Sequence, residues 1–233
     1  MRERIRVVSM DVTDDQSVTL AVRRVLAEAG QIDVLVNNAG IGIFGPIEEV
    51  PRALAVHQFD VNLFGLLRVT QAVVPHMRER GAGRIINISS LAGLLTIPYQ
   101  SHYSATKAAV ESFTEELRQE LRPFGVTVTA ILPGDIRTRF NDHTTFPDSL
   151  WRETSPYRRW VKASWETIDL NLRKAPPPEV VARVIWRAAT ARNPKARYVA
   201  GDLFSRQVPW LLRLLPAGFK ERLVRSFYQL GVR

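Results

Sequence analysis

The sequence predicts an α/β protein in which helices cover both faces of a doubly wound parallel sheet. Short β-rich apolar segments alternate with longer segments of helical periodicity over the first 140 residues, a rhythm typical of βαβ units. Polar clusters follow the predicted strands directly, at Asp11 and at 37–40, 89–90 and 133–138. Because ligands of parallel sheets bind beyond the carboxyl ends of the strands, this placement predicts a functional site at that edge.

The first elements follow from local signals. Residues 5–10 are rich in β-forming side chains and are predicted to form a strand. A helix follows, with Asp14 as its cap and Gly30 at its end. The apolar run 32–36 is predicted to be a buried parallel strand.

The middle of the chain continues the alternation. Helical spacing runs from about 48 to 80 with predicted breaks near Pro51 and Pro75, and strands at 84–88 and 126–132 flank a helix over 102–122. The pattern is looser after residue 140, with a helix at about 179–191, a short strand at 197–200 and two amphipathic helical segments divided at Pro216. We predict one domain over 1–233, with a core in 1–140 and a substrate lid, last strand and C-terminal helices in 141–233.

Composition excludes several classes of function. The 233 residues contain no cysteine, which excludes disulfides, thiolate metal sites and thiol nucleophiles, and we expect no metal site. No apolar run approaches the roughly 18 residues of a membrane span, and no signal peptide is evident, so we expect a cytoplasmic protein. The basic residues behind the net charge of +9 are scattered, which predicts solvated helix faces and no nucleic-acid partner.

Tyr103 and Lys107 form the first candidate pair for catalysis. Their i, i+4 spacing places a phenol and an ammonium on one face of the predicted helix. A nearby cation favours the phenolate, so such a pair can exchange a proton with a hydroxyl or carbonyl group. Ser90 ends a predicted strand, and its hydroxyl could meet the same oxygen. The alternatives are a partly exposed helix face and an ordinary loop or helix cap.

Two further polar groups are candidates. Asn37, Asn38, Ala39 and Gly40 follow a buried strand, where amide side chains can hold neighbouring strands together; the alternative is a plain turn. Asn62 lies within an apolar helix, where a buried amide needs partners. It could bind a water molecule that relays protons, or it could be a structural residue that bends the helix.

Together these residues resemble the classical short-chain dehydrogenase/reductase family. The family motifs recur in order as Asp11-Val12, Asn37-Asn38-Ala39-Gly40, Asn62, Ser90, Tyr103 with Lys107, and Pro133-Gly134 with Thr138. The resemblance is strong over residues 5–140 and looser towards the C-terminus. It implies a Rossmann-like sheet and an NAD(P)-dependent oxidoreductase that transfers a hydride between a nicotinamide cofactor and an alcohol or ketone.

The resemblance also implies a role for each residue. Tyr103 would be the general acid/base, Lys107 would lower its pKa and bind the nicotinamide ribose, and Ser90 would steady the substrate oxygen. Asn62 would hold the proton-relay water. The cofactor would be bound by Tyr103 and Lys107 and by Asp11, Val12, Asn38, Ala39, Gly40, Pro133, Gly134, Ile136 and Thr138.

The sequence departs from the family at its start. The glycine-rich turn that holds the cofactor's pyrophosphate at a helix N-terminus is absent, and so are the two strands beside it. We therefore expect an N-terminally truncated sheet in which 32–36 is an open edge. The alternative function is a catalytically impaired fragment or a non-catalytic scaffold. The cofactor is NADP or NAD, and the positive charge slightly favours NADP.

Substrate and partners are predicted from the second half of the chain. Phe140, Phe146, Trp151, Tyr157, Trp160 and Trp165 suggest a pocket for a bulky, lipophilic alcohol or ketone; alternatively they pack the lid onto the core. This half also resembles retinol- and hydroxysteroid-dehydrogenase-like members. Residues 210–215 with Phe219, Leu223 and Phe227 could contact a membrane surface peripherally, although packed helices or a dimer contact are alternatives. The helix over 102–122 resembles the one through which family members pair, so a homo-oligomer is expected.

Overall fold

Four parallel strands form one sheet in a computed structural model that describes residues 5–230, apart from 204, 206, 208–210, 212 and 213. Their order across the sheet is the order of the chain: β1 (Val34–Asn37), β2 (Gly83–Ile88), β3 (Val126–Pro133) and β4 (Arg197–Ala200). Parallel neighbours need long crossover connections, and the helices supply them. The α/β prediction is confirmed.

The helices lie close to their predicted positions, except for the helix at Arg158–Lys174, which was not predicted from the sequence. They are α1 (Asp15–Ala29), α2 (Arg52–Phe59), α3 (Gly65–Arg80), α4 (Ser101–Leu121), α5 (Arg158–Lys174), α6 (Glu179–Thr190) and α7 (Ala217–Phe227). Asp14 caps α1 by accepting a hydrogen bond from the Gln16 N–H. Gly30 ends it with φ 77°, a left-handed conformation that glycine adopts without strain.

Helices cover both faces of the sheet. On one face, Val22 of α1 and Met77 of α3 pack with Ile85 of β2, and Leu121 at the end of α4 joins the same cluster. Ile86, the next residue of β2, packs on the other face against Ala188 of α6 and Ala200 of β4. Because successive side chains of a strand point to opposite faces, these two clusters confirm the doubly wound arrangement.

The strand predicted at 5–10 is wrong. These residues are in neither a helix nor a strand, and Ile5 and Val7 are 76% and 85% exposed. β-Propensity alone does not make a strand, which also needs a hydrogen-bonded neighbour, and the described residues offer none here. β1 is the edge of the described sheet, where Val34 and Val36 are each 37% exposed, as expected for an open edge.

The helix break predicted at Pro75 is also wrong, whereas the one near Pro51 is confirmed because α2 begins at Arg52. Pro75 lies inside α3, and the helix ends only at Gly81. Val73 and Met77 on either side of it are buried, so packing against the sheet offsets the missing hydrogen bond. The irregularity lies instead at Asp60–Phe64, a π-helical turn between α2 and α3.

The C-terminal part bears on the expected membrane contact. No helix in the described part of the chain is long and apolar enough to cross a membrane. Helix α7 begins directly after Pro216, as predicted. Of the predicted amphipathic segment before it, Trp210, Leu212 and Arg213 lie outside the described residues.

Candidate active site

Three chain segments converge at the carboxyl ends of the strands. Gly40, in the loop after β1, lies so close to its neighbours that a Cβ atom there would be 3.4 Å from Asn62 Oδ1 and 3.7 Å from Lys107 Nζ. Asn62 belongs to the π-helical turn and Lys107 to α4. The structure therefore brings together three predicted site residues that lie far apart in the sequence.

Tyr103 and Lys107 lie one turn apart on α4, as their spacing predicts. Lys107 Nζ is 5.7 Å from the centroid of the Tyr103 ring, and it donates a hydrogen bond of 2.8 Å to the carbonyl oxygen of Ile88 at the end of β2. Lys107 is only 5% exposed. The ammonium group is therefore held in one position at the end of a strand and is not surrounded by water.

Ser90 has the capping role considered for it. Its hydroxyl accepts a 3.1 Å hydrogen bond from the Ala92 N–H and so caps the 3₁₀ turn Leu91–Gly93. The same side chain lies near enough to Tyr103 to oppose the effect of burial on the pKa of that phenol. The two hydroxyl groups are thus neighbours, and the role of Ser90 towards a substrate oxygen stays a prediction.

Gly93 is a residue whose importance the sequence did not reveal. A Cβ atom at this position would be 2.9 Å from both the carbonyl carbon and the carbonyl oxygen of Lys107. The turn after β2 therefore touches the backbone of α4 at the level of the catalytic pair. A glycine at this position allows that approach, which brings Ser90 within reach of Tyr103.

The pKa of Tyr103 shifts opposite to the expected direction. Burial raises the pKa of Tyr103 to about 12, and the nearby Ser90 side chain opposes this shift. Burial lowers the pKa of Lys107 to about 8, against the influence of Glu111. Burial therefore acts against the effect that the resemblance implies for Lys107, and that effect stays a prediction. At neutral pH the phenol is protonated, and it can donate a proton.

The side chain of Asn62 binds the loop after β1. Its Oδ1 accepts from the Ile41 N–H at 2.8 Å, and its Nδ2 donates to the Ile41 carbonyl at 3.0 Å and to Thr106 Oγ1 at 3.2 Å. The Thr106 hydroxyl in turn donates to the Tyr103 carbonyl at 2.8 Å. Asn62 is thus a buried positioning group, and its role towards a relay water stays a prediction. No pattern in the sequence indicated this role of Thr106.

Asn37 is the last residue of β1 and holds two strands together, as suggested for the amides at the end of this strand. Its Nδ2 donates to Asn87 Oδ1 of β2 at 2.9 Å and to Thr70 Oγ1 of α3 at 3.0 Å. Asn87 donates onward to Thr114 Oγ1 of α4 at 3.0 Å. Asn87 looked like one polar residue in an apolar strand, and only the structure shows that it completes a buried network.

The predicted adenine-side residues are more loosely held. Asp11 is exposed, and hydrogen bonds from the Thr13 N–H and hydroxyl, both 2.8 Å, lower the pKa of its carboxyl. Val12 packs on Gly65, where a Cβ atom would be 2.7 Å from Val12 Cγ2. Asn38 and Ala39 are exposed at the end of β1.

The loop after β3 carries the remaining predicted cofactor residues. Pro133 ends the strand, Ile136 is buried, and the exposed Thr138 accepts a 3.3 Å hydrogen bond from the Phe140 N–H. A Cβ atom at Gly134 would be 2.6 Å from Ser205 Oγ. Ser205 therefore lies directly over this turn, which the sequence did not indicate.

These residues fit a nicotinamide cofactor. Within the described residues, Lys107 Nζ has one hydrogen-bond acceptor, so its other N–H groups can reach ribose hydroxyls. Gly40 presents bare backbone beside it. Among the described residues no group of three or more His, Asp or Glu side chains could hold a metal ion.

A cleft of about 290 Å³ lies beside Tyr103. Gly40, Ile41, Arg139, Phe140 and His143 line it, and the Phe140 ring is 5.8 Å from that of Tyr103. Most other aromatic residues of the region pack the lid onto the core: the rings of Phe146, Tyr99 and Trp165 surround the fully buried Phe44 at 5.9, 6.0 and 5.0 Å. Phe140 is thus the aromatic residue placed to meet a substrate.

The sequence matches known enzymes over nearly its whole length. The family model for short chain dehydrogenase matches residues 1–147. A 3-ketodihydrosphingosine reductase of Bacteroides thetaiotaomicron is 35% identical over 229 residues, which cover 97% of this chain and 83% of that protein. Human 17-beta-hydroxysteroid dehydrogenase type 1 is 34% identical over 203 residues, or 86% of this chain and 61% of that enzyme.

Solved structures are similar as well. A short-chain dehydrogenase from Streptomyces avermitilis superposes with a TM-score of 0.78 at 32% identity, covering 97% of this chain and 82% of that one. A serine dehydrogenase complexed with NADP+ gives 0.70 at 28% identity, covering 84% and 75%. An NAD+-bound xylitol dehydrogenase gives 0.67 at 25% identity, covering 83% and 77%.

Proposed function

The chain belongs to the short-chain dehydrogenase family and is an NAD(P)-dependent oxidoreductase. We propose that it reduces a bulky, lipophilic ketone with Tyr103 as the proton donor. The observation that carries the proposal is the position of Tyr103 near Ser90 and one helical turn from the buried Lys107, whose Nζ is 5.7 Å from the centroid of the Tyr103 ring. A reduced nicotinamide bound at the strand ends would supply the hydride. The Tyr103 hydroxyl would give its proton to the carbonyl oxygen, which yields the alcohol.

The protonation state of Tyr103 is compatible with reduction. Burial raises the pKa of the phenol, so Tyr103 is protonated at neutral pH, as an unperturbed tyrosine also is, and it can donate its proton to a carbonyl oxygen. Ser90 donates a second hydrogen bond to the oxygen as negative charge develops. Asn62 acts indirectly, because its hydrogen bonds position the loop at Ile41, which forms a wall of the cleft.

We assign the cofactor to the strand ends and favour NADP over NAD. Lys107 and Tyr103 would hold the ribose, and the chain from Asn38 to Gly40 would line the groove. Pro133, Gly134, Ile136 and Thr138 would face the carboxamide. Asp11 and Val12 would meet the adenine. The net charge of +9 favours the cofactor with the additional phosphate.

The substrate class follows from the cleft and from one relative. Ile41 and Phe140 give the cleft an apolar wall beside Tyr103, whereas the lid aromatics around Phe44 are used for packing. A relative that is 35% identical is named as a 3-ketodihydrosphingosine reductase. A long-chain ketone is therefore the first substrate class to test.

We also keep the expected homo-oligomer as a proposal. Phe113 of α4 and Phe64 of the π-helical turn are 40% and 48% exposed, and large exposed apolar side chains favour association. Light scattering of the purified chain measures the mass directly.

The test is the rate of NADPH and NADH oxidation with long-chain and steroid ketones. Replacing Tyr103 by Phe removes only the hydroxyl, and kcat/KM should fall by about 10²–10⁴-fold, the usual contribution of a general acid. Tyr198→Phe is the matched control, since Tyr198 lies on β4 outside the site and its hydroxyl accepts a hydrogen bond from the Lys195 N–H. Equal rates for the Tyr103 variant and the wild type would refute the proposed role.

Cofactor binding is measured separately by thermal unfolding. The preferred cofactor, at about a hundred times its Kd, should raise the free energy of unfolding by about 2.7 kcal/mol. A larger shift with NADH than with NADPH would overturn the NADP preference and leave the catalytic assignment intact.

A further inference from the structure

The outer face of α7 is apolar. Phe219, Leu223 and Phe227 recur every four residues, so they lie on one side of the helix, and they are 55%, 47% and 49% exposed. We call these three side chains the α7 ridge. Before the helix, Leu211 and Leu214 are 57% and 83% exposed. Large apolar side chains exposed together mark interaction surfaces.

The side of α7 next to the ridge, about 100° round the helix, and the C-terminal end of α7 are attached to the protein. The Ser164 hydroxyl of α5 donates to the Tyr228 carbonyl at 3.2 Å, and Gln229 Nε2 donates to Thr167 Oγ1 of α5 at 3.4 Å. The side chains of Lys220, Val224 and Tyr228 are half-buried. These contacts fix the orientation of the helix, so the ridge faces outward in the folded chain.

Basic residues border the ridge. Lys220 and Arg222 lie on the two borders of the ridge and flank Glu221, the only acidic residue after Asp202 in the sequence. Arg225 lies on the far side of the helix from the ridge, 3.7 Å from Glu221. Arg222 directly precedes Leu223 of the ridge, and its side chain is exposed. An apolar strip with basic borders is the pattern of a helix that lies in a membrane interface.

We propose that the α7 ridge docks the enzyme on the surface of an anionic lipid bilayer. The ridge would enter the headgroup region while Lys220 and Arg222 at its borders meet anionic headgroups. A second copy of this chain fits less well, because a two-fold contact through the ridge sets each basic border near the basic border of the other copy. The charge of the surface therefore selects lipid over self-association.

The position of α7 relates docking to the reaction. Tyr228, at the end of α7, is close enough to Asp135 in the loop after β3 that this carboxyl contributes to the raised pKa of the Tyr228 phenol. Ser205, earlier in the same C-terminal segment, lies over Gly134 of that loop. A docked enzyme would therefore hold the lipid surface beside the segment that leads to the cleft. The docking proposal does not depend on the proposed ketone substrate.

The test is co-sedimentation of the full chain with vesicles of pure phosphatidylcholine and with vesicles containing about one third phosphatidylglycerol, a typical anionic fraction for such tests. We expect binding to the anionic vesicles that weakens with added salt. Replacing all three ridge residues by Ala should lower the partition coefficient by at least about tenfold. The matched control removes exposed apolar side chains elsewhere, in Ile47→Ala/Val56→Ala/Trp186→Ala, and should bind as the wild type does.

Two charge-reversal variants isolate the electrostatic contribution to vesicle binding. Lys220→Glu/Arg222→Glu should abolish the preference for anionic vesicles, whereas Arg23→Glu/Arg192→Glu, with the same change in net charge, should keep most of it. Ketone reduction in detergent-free buffer should be unchanged in the ridge variant, which shows that it is folded. Equal binding of the ridge variant and the wild type would overturn the proposal. So would a ridge-dependent dimer without vesicle binding, detected by light scattering.

Discussion

The site at the carboxyl ends of the strands has two regions, one around Tyr103 and one around Asp11, and they are held in place differently. Around Tyr103 and Lys107, contacts join residues distant in sequence: Lys107 bonds to the end of β2, and Asn62 binds both Ile41 and Thr106. In the amino-terminal region, Asp11 is held by Thr13 and Ser17, which are two and six residues away. The first region is buried and the second is exposed.

This difference separates two tasks. Proton transfer depends on distances that must be kept within a fraction of an ångström, and a buried network of several elements can maintain them. The amino-terminal region depends on local hydrogen bonds at Asp11, on Val12 packed against Gly65 and on one distant hydrogen bond, from Arg68 to the Val12 carbonyl at 3.2 Å. Regions with few buried contacts open locally at low cost. We infer that the acid/base centre is preorganised, whereas the adenine side is the softer part of the described structure.

Replacing Lys107 by Met should have the largest effect on the buried region. Turnover should fall by at least about 10²-fold, since the ammonium beside Tyr103 is lost. The same change should stabilise the protein without cofactor at pH 7, because the folded state no longer buries a charge. The pKa difference from 10.5 to about 8 corresponds to about 3 kcal/mol, and the lost hydrogen bond to Ile88 offsets about 1 kcal/mol of it.

The stability advantage of the Lys107→Met variant should depend on pH. Below about pH 8 both the folded and the unfolded wild-type chains carry the charged Lys107. Between pH 8 and 10.5 the unfolded chain binds more protons, so the stability that Lys107 costs is regained as the pH rises. The advantage of the Met variant should therefore shrink over this range, as followed by urea unfolding. Lys162→Met, at a side chain 75% exposed, should show no such trend; a constant advantage for Lys107→Met would contradict the burial argument.

The same comparison explains what the sequence could and could not predict. Strand ends, the Tyr103–Lys107 spacing and the cap at Asp14 are local patterns, and the structure has all three. Thr106, Asn87 and Gly93 were missed because their roles exist only after distant segments meet. The strand at 5–10 and the break at Pro75 failed for a related reason, since in both cases tertiary neighbours, absent or present, overrode local propensity.

Two Gly→Ala variants, one in each region, sharpen the contrast. At Gly93 the new methyl group would meet the backbone of Lys107 at 2.9 Å, so α4 or the turn must shift, at a cost of about 1–3 kcal/mol. The kcat should fall with it. At Gly65 the methyl group would lie 2.7 Å from Val12 Cγ2, 2.9 Å from its Cβ and 3.2 Å from its backbone oxygen, so the more exposed segment around Val12 must move aside.

For Gly65→Ala the gain of alanine over glycine in a helix, about 0.5–1 kcal/mol, offsets the displacement of Val12. We therefore expect an almost unchanged Tm and kcat, with any effect confined to the KM for the cofactor. Differential scanning fluorimetry and initial rates compare the two variants. If Gly65→Ala were as damaging as Gly93→Ala, the two regions would be equally rigid and the contrast would fail.

The smallest effect is expected at the exposed edge. Val34 and Val36 of β1 each present a partly exposed side chain beside unpaired backbone groups, which can pair with another chain. Replacing both by Thr keeps the β-branched shape that suits a strand, so Tm should change little, while aggregation on mild heating, followed by light scattering, should slow. Val128→Thr, at a fully buried position of β3, is the control and should lower Tm, because it places a hydroxyl in the core. An unchanged aggregation rate for the β1 variant would mean that this edge is not the surface through which copies associate.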